Sequence, residues 1–173
     1  MLQIKRFSNK LLLSLLVMMT VGTFGFANRL FFFTVSATYI EGPIAQDTIW
    51  TLTDSPFIVS KNITVYPDAT LTIEPGVEVR FGGDFPLIVS GQLIAKGTQD
   101  KTITFTSNKE QPEAGDWNTI EFNGTQPSIL SYCSIKYAKN GITIENSSVK
   151  IENCEINANS QNGINILNCI AEV

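Results

Sequence analysis

The segment Asn140-Gly141-Ile142-Thr143-Ile144 recurs as Asn162-Gly163-Ile164-Asn165-Ile166, an offset of 22 residues. Cys133-Ser134-Ile135 recurs as Cys154-Glu155-Ile156 at an offset of 21, and Asn146 and Asn168 again lie 22 apart. A repeat of this length marks supersecondary units that cannot bury an apolar face alone and must stack. About 22 residues hold two or three short strands at ~3.3 Å per residue plus the corners between them. Successive units then sit ~4.8 Å apart, the spacing of hydrogen-bonded strands, so equivalent side chains lie directly over one another. Ile142 is expected over Ile164, Ile135 over Ile156 and Cys133 over Cys154. Asn-Gly at the corners suits backbone with positive φ, which Gly takes freely and Asn tolerates. Stacked asparagines can also share side-chain hydrogen bonds from coil to coil.

The same reading extends upstream. Leu71, Ile73, Val77, Val79 and Phe81 alternate with Thr72, Glu78 and Arg80, the period of strands with one buried face. Pro75-Gly76, Gly82-Gly83, Gly91 and Gly97 punctuate the run as corners, with no helix-length amphipathic segment between them. The pattern predicts an all-β solenoid of about five coils over 62–173, with 62–81 as the first coil and 85–107 as the second. Residues 108–115, polar with Pro and Gly, are expected to project as a loop before strand alternation resumes at 116–122. Residues 38–61 read as a lead-in that caps the open end, with Trp50 and Phe57 as its plug. Gly163 to the end stops midway through a coil with bare isoleucines. The expectation is the front part of a longer protein or a truncated reading frame.

The first 37 residues differ in kind. Lys5, Arg6 and Lys10 precede an apolar run from Leu11, and small residues follow. This order predicts a secretory signal, cleaved after Ala27 or after Ala37, the latter leaving no Phe31–Phe33 tail. An uncleaved anchor is the alternative, since 11–27 approaches the ~20 residues that span a bilayer. Four of the twelve basic residues and none of the sixteen acids lie in 1–37, so the remainder carries a net charge of −8. Such a surface repels nucleic acid and anionic lipid. Three cysteines, Cys133, Cys154 and Cys169, leave at least one thiol unpaired, and their strand-like settings read as small buried hydrophobes.

With these residues in view, the chain resembles the N-terminal portion of secreted right-handed parallel β-helix proteins of the pectate-lyase-like superfamily. The phrases that carry the likeness are Ala69-Thr-Leu-Thr-Ile-Glu-Pro-Gly-Val-Glu-Val-Arg-Phe81, Leu87-Ile-Val-Ser-Gly-Gln-Leu-Ile-Ala-Lys-Gly-Thr98 and Gly115-Asp-Trp-Asn-Thr-Ile-Glu-Phe122. The resemblance covers about 45–170 and implies a right-handed parallel β-helix. It also implies a scaffold that hosts sugar-active enzymes as well as adhesive stalks, so fold alone does not settle function.

A lyase on this scaffold would need acidic Ca²⁺ ligands converging on one point beside a basic residue. Asp84, Asp100 and Asp116 do not share a column at the repeat, and Arg80, alternating with Val79 and Phe81, should point outward beside Glu78. A hydrolase would need paired carboxylates, yet Glu145, Glu152 and Glu155 have no acidic partner one coil away, Glu145 mapping to Leu167. The chain has no histidine, which excludes Ser-His-Asp and Cys-His catalysis. Trp117 reads as core more than as a sugar platform, as does Trp50. Asn62, Asn123 and Asn146 head glycosylation sequons. No catalytic, cofactor-binding or metal-binding residue is therefore assigned. The expected role is an exported, non-catalytic β-helix scaffold, secreted or at the cell surface, with polysaccharide or cell-surface components as partners. No nucleic acid is expected, and no membrane span once the signal is removed, while further coils of the same helix are expected to follow. The alternative is the N-terminal part of a polysaccharide lyase or glycoside hydrolase whose active coils lie beyond Val173.

Overall fold

The computed structural model describes residues 36–168; Cys169 and nearly all of the expected signal segment lie outside the described residues. Short alternating segments bounded by Gly, Pro and Asn form strands of three to five residues. In chain order they are β1 (Thr38–Ile40), β2 (Thr48–Trp50), β3 (Phe57–Val59), β4 (Ile63–Val65), β5 (Thr70–Ile73) and β6 (Glu78–Phe81). There follow β7 (Leu87–Val89), β8 (Gln92–Lys96), β9 (Ile103–Ser107), β10 (Ile120–Phe122) and β11 (Ser128–Ser131). The last are β12 (Cys133–Lys136), β13 (Ile142–Glu145), β14 (Val149–Glu152), β15 (Glu155–Asn157) and β16 (Ile164–Leu167). A single 3-10 turn, Leu52–Asp54, is the helical element among the described residues.

Three parallel sheets run the length of the stack. Sheet I has the order β1-β3-β6-β9-β12-β15, sheet II β4-β7-β10-β13-β16 and sheet III β2-β5-β8-β11-β14. The chain passes from II to III to I and back, so each circuit is one triangular coil, and there are about six. Residues 38–61, expected as a lead-in that caps the open end, themselves form a coil of the stack: Thr38 pairs with Phe57, Ile44 bridges to Val65 and Thr48 pairs with Leu71. The reason lies in their own alternation, which buries Trp50, Phe57 and Val59. Trp50 and Phe57 do fill that end of the bore, their rings stacked with centroids 4.9 Å apart.

Register turns the repeat into apolar columns. In sheet II, Ile63, Leu87, Ile120, Ile142 and Ile164 lie in one column. In sheet I, Phe57, Val79, Phe105, Ile135 and Ile156 form another. Most of these side chains are inaccessible to solvent, which stabilises by ~1.5–3 kcal/mol for each large aliphatic or Phe group. Trp117 lies flat on Phe81 at 4.0 Å and 3°, and its indole N–H donates to the Lys136 carbonyl at 2.8 Å, so it is core as expected. Burial fades in the last coil, where Ile164 is 43% and Ile166 62% exposed.

The corners hold one surprise. Positive φ occurs at Tyr132 and Asn153, at Tyr137 and Ala158, and at Asn146 and Asn168, one pair for each side of the triangle. Gly141 and Gly163 are absent from that set, contrary to the expectation for Asn-Gly. Gly141 is needed for room instead: a Cβ there would lie 2.6 Å from both the Gly163 carbonyl and Ile156 Cγ2. Pro75-Gly76 does make the expected bend, with Gly76 at φ 86° and the Val77 N–H donating to the Glu74 carbonyl. Gly91 is pressed closely too, its hypothetical Cβ 2.1 Å from the Tyr66 carbonyl and 2.3 Å from that of Ala69.

Gly91→Ala should therefore push two coils apart and lower stability by more than about 2 kcal/mol. Gly42→Ala, where a Cβ meets nothing within 4 Å, should stay within about 0.5 kcal/mol of the parent. Chemical denaturation of both variants checks the contrast.

Candidate functional site

The most continuous polar feature lies along the corner where sheet I passes into sheet II. Asn118, Asn140 and Asn162 each stand two residues before an inward isoleucine, Ile120, Ile142 and Ile164, and so occupy equivalent places in three successive coils. The strands that follow them fix their spacing at ~4.8 Å per coil. Asn162 donates its side-chain amide to Asn140 Oδ1 at 3.1 Å, and Asn140 in turn donates to Gln161 Oε1 at 3.1 Å. Asn118 donates to Asp84 Oδ1 at 3.1 Å, and the Lys139 ammonium pairs with the other Asp84 oxygen. Amides, one carboxylate and one ammonium thus make two hydrogen-bonded groups, Asp84 with Asn118 and Lys139 and then Asn140 with Gln161 and Asn162. They follow one another across four coils and are joined by the Asn140 N–H donating to the Asn118 carbonyl at 3.2 Å. The asparagine stacking was legible in the sequence. Lys139 and Asp84 were not, because their contact spans 55 positions.

Beside this row the loop 108–116 is tied down at its base. The Lys109 ammonium binds Asp116 Oδ1 at 2.6 Å, the Glu113 N–H donates to Asp116 Oδ2 at 2.9 Å, and the Asp116 N–H donates to the Tyr137 carbonyl at 2.9 Å. Asp116 itself is only 5% exposed at its side chain. Burial pushes its carboxyl up, but the Glu113 amide, Lys109 and the Ser107 hydroxyl together outweigh that and hold it below the usual carboxylate range. The hydrogen bond to Asp116 raises the Lys109 ammonium correspondingly. Asp116 is thus a structural anchor for a projecting loop, as polar and exposed as its composition suggested.

A model of the family described as "Right handed beta helix region" matches residues 44–172. The chain belongs to the right-handed β-helix family. A segment of 65 residues is also 35% identical to "Protein bark beetle" of Drosophila melanogaster, covering 38% of this chain and 2% of that protein. The chain thus corresponds to a very small part of that relative's length. No solved structure matches it.

On this right-handed β-helix the remaining residues singled out from the sequence scatter over the outer faces. Arg80 points outward and pairs with Glu78 at 2.7 Å, as its alternation required. Glu152 pairs with Lys150 at 3.0 Å, Glu155 with Lys136 at 3.6 Å, and Glu145 accepts from Asn168 at 3.1 Å. These exposed pairs contribute ~0–1 kcal/mol each. Among the described residues no three acids, cysteines or histidines gather where they could hold a metal ion. One depression, of about 470 Å³, is lined by the first coil from Tyr39 to Trp50. Another, of about 290 Å³, lies between Asp68, Thr70, Gln92 and Gln126.

The Asp116 anchor gives a pH dependence with a definite sign. Its folded value is depressed, so its contribution is present in full above the ordinary carboxylate range and is lost as pH falls through the folded value. Asp116→Asn should remove that part of the acid transition. Amide exchange of 108–116, followed from about pH 6 downward, should show the loop opening at higher pH than the strands in the parent and already open in the variant.

Proposed function

We propose that this right-handed β-helix is an exported, non-catalytic scaffold whose outer surface engages a polysaccharide or another cell-surface component. The observation that carries the reading is the polar row through Asp84, Asn118, Lys139, Asn140 and Asn162. It offers amide and charged groups at a regular interval along the stack, suited to an extended ligand that repeats. Glu78, Glu145, Glu152 and Glu155 on the outer faces are each engaged by a neighbouring base or amide, which supports a binding surface more than acid–base chemistry. The basic and then apolar N-terminus supports export. The same reading has a further coil stacking on β16, where Ile164 and Ile166 are exposed.

The full chain, incubated with pectin and alginate with and without Ca²⁺, tests this. Co-sedimentation should retain it on at least one polymer with no release of unsaturated sugars. Replacing Asn118, Asn140 and Lys139 by Ala should weaken retention about three- to tenfold while leaving the thermal transition in place. Release of unsaturated sugars, or failure to bind any polymer or intact cells, overturns the proposal.

A further inference from the structure

Cys133 and Cys154 stand in adjacent coils at the same point of the circuit. Ser134 pairs with Glu155 and Ile135 with Ile156, which sets the two thiol-bearing residues side by side at the entry to sheet I. Each follows a residue of positive φ, Tyr132 at 48° and Asn153 at 51°, so the two chains turn the same corner and aim their Cβ atoms alike. The thiols also make matching contacts. Cys133 Sγ donates to the Ser131 carbonyl at 3.5 Å and Cys154 Sγ to the Glu152 carbonyl at 3.3 Å, each two residues back. In addition Cys154 Sγ reaches across to the Leu130 carbonyl, 3.5 Å away in the coil that carries Cys133.

Strands paired in register hold their Cα atoms ~4.8 Å apart, inside the ~4.4–6.8 Å range of disulfides. Parallel Cβ vectors start at the same ~4.8 Å, and a disulfide needs its Cβ atoms ~3.8 Å apart, so the Cβ atoms must close by ~1 Å while the side chains rotate to bring the sulfurs to ~2.05 Å. Cys154 is placed to yield. It lies just outside β15, is half-buried, and belongs to the coil whose apolar neighbours are themselves partly exposed. Cys133, in contrast, is 1% exposed and fixed in β12.

We propose that Cys133 and Cys154 form a dithiol–disulfide couple that staples two successive coils in the presence of a small-molecule disulfide. The Cys154 thiolate attacks one sulfur of that donor, whose other sulfur leaves as a thiolate with the bonding electron pair. Cys133 then gives up its proton and attacks the Cys154 sulfur of the mixed disulfide, releasing the second donor thiolate. Two protein thiols become one disulfide, and one donor disulfide becomes two thiols. The roles follow from access and charge. The half-buried Cys154 is the thiol that a donor can reach, and the neighbouring Cys133 thiol draws it below the ordinary thiol range, while the same proximity and burial push Cys133 up. The couple needs only these two thiols and is independent of the scaffold reading.

The full chain carrying Cys169→Ser, oxidised by glutathione disulfide and digested with trypsin, tests this directly. Cleavage after Lys136 and Lys150 separates the two thiols, so the expected product is a linked pair of peptides containing Cys133 and Cys154, split again by a reductant. Oxidation should also raise the thermal midpoint, and in the reduced chain Cys154 should be alkylated before Cys133. In the Cys154→Ser variant, Cys133 should resist both oxidation and alkylation while the chain is folded. A lasting glutathione adduct on Cys154, or two thiols that stay free in the folded parent, overturns the proposal.

Discussion

Every inward side chain of this protein must fit the one directly above it and the one directly below. Parallel strands in register leave no freedom to slide, because a shift by one residue would turn each isoleucine out to water. The columns through Ile63 to Ile164 and Phe57 to Ile156 are therefore both the core and the ruler of the fold. Ser128, buried among leucines, accepts the Leu93 N–H at 3.0 Å.

The ruler constrains strands and leaves corners free. Thr72 pairs with Ile94 at an interval of 22, while Ile94 pairs with Ile129 at 35, with no break in either sheet. The additional residues leave the stack as 97–102 and 108–116, and the chain returns to register through Trp117 on Phe81. Loops of this kind cost little to lengthen, since closure entropy grows only slowly with length. Binding features on such a fold therefore gather at corners and on outer faces, where the polar row from Asp84 to Asn162 lies.

The strands and their stacking were legible because one rule, alternation at a repeat of about 22, acts locally. Ile142 over Ile164 and Ile135 over Ile156 stand as that rule requires. The first coil was harder to see. Thr48–Trp50 and Phe57–Val59 are too short to display a period, and their partners lie about 20 residues on. The role of Asn140-Gly141 was misread because a glycine can serve conformation or clearance, and only coordinates show that Ile156 and the Gly163 carbonyl fill the space. The Lys139–Asp84 contact had no signal at all, because both residues sit in corners whose depth the repeat does not fix.

The backbone hydrogen bonds between coils point along the axis of the stack. A load applied along that axis thus falls on the few bonds of one rung at a time, in the geometry of peeling. Under tension such a chain would pay out coil after coil at low, nearly equal forces, in place of yielding once at a high one. A covalent bridge between neighbouring coils would set a point at which the unwinding halts.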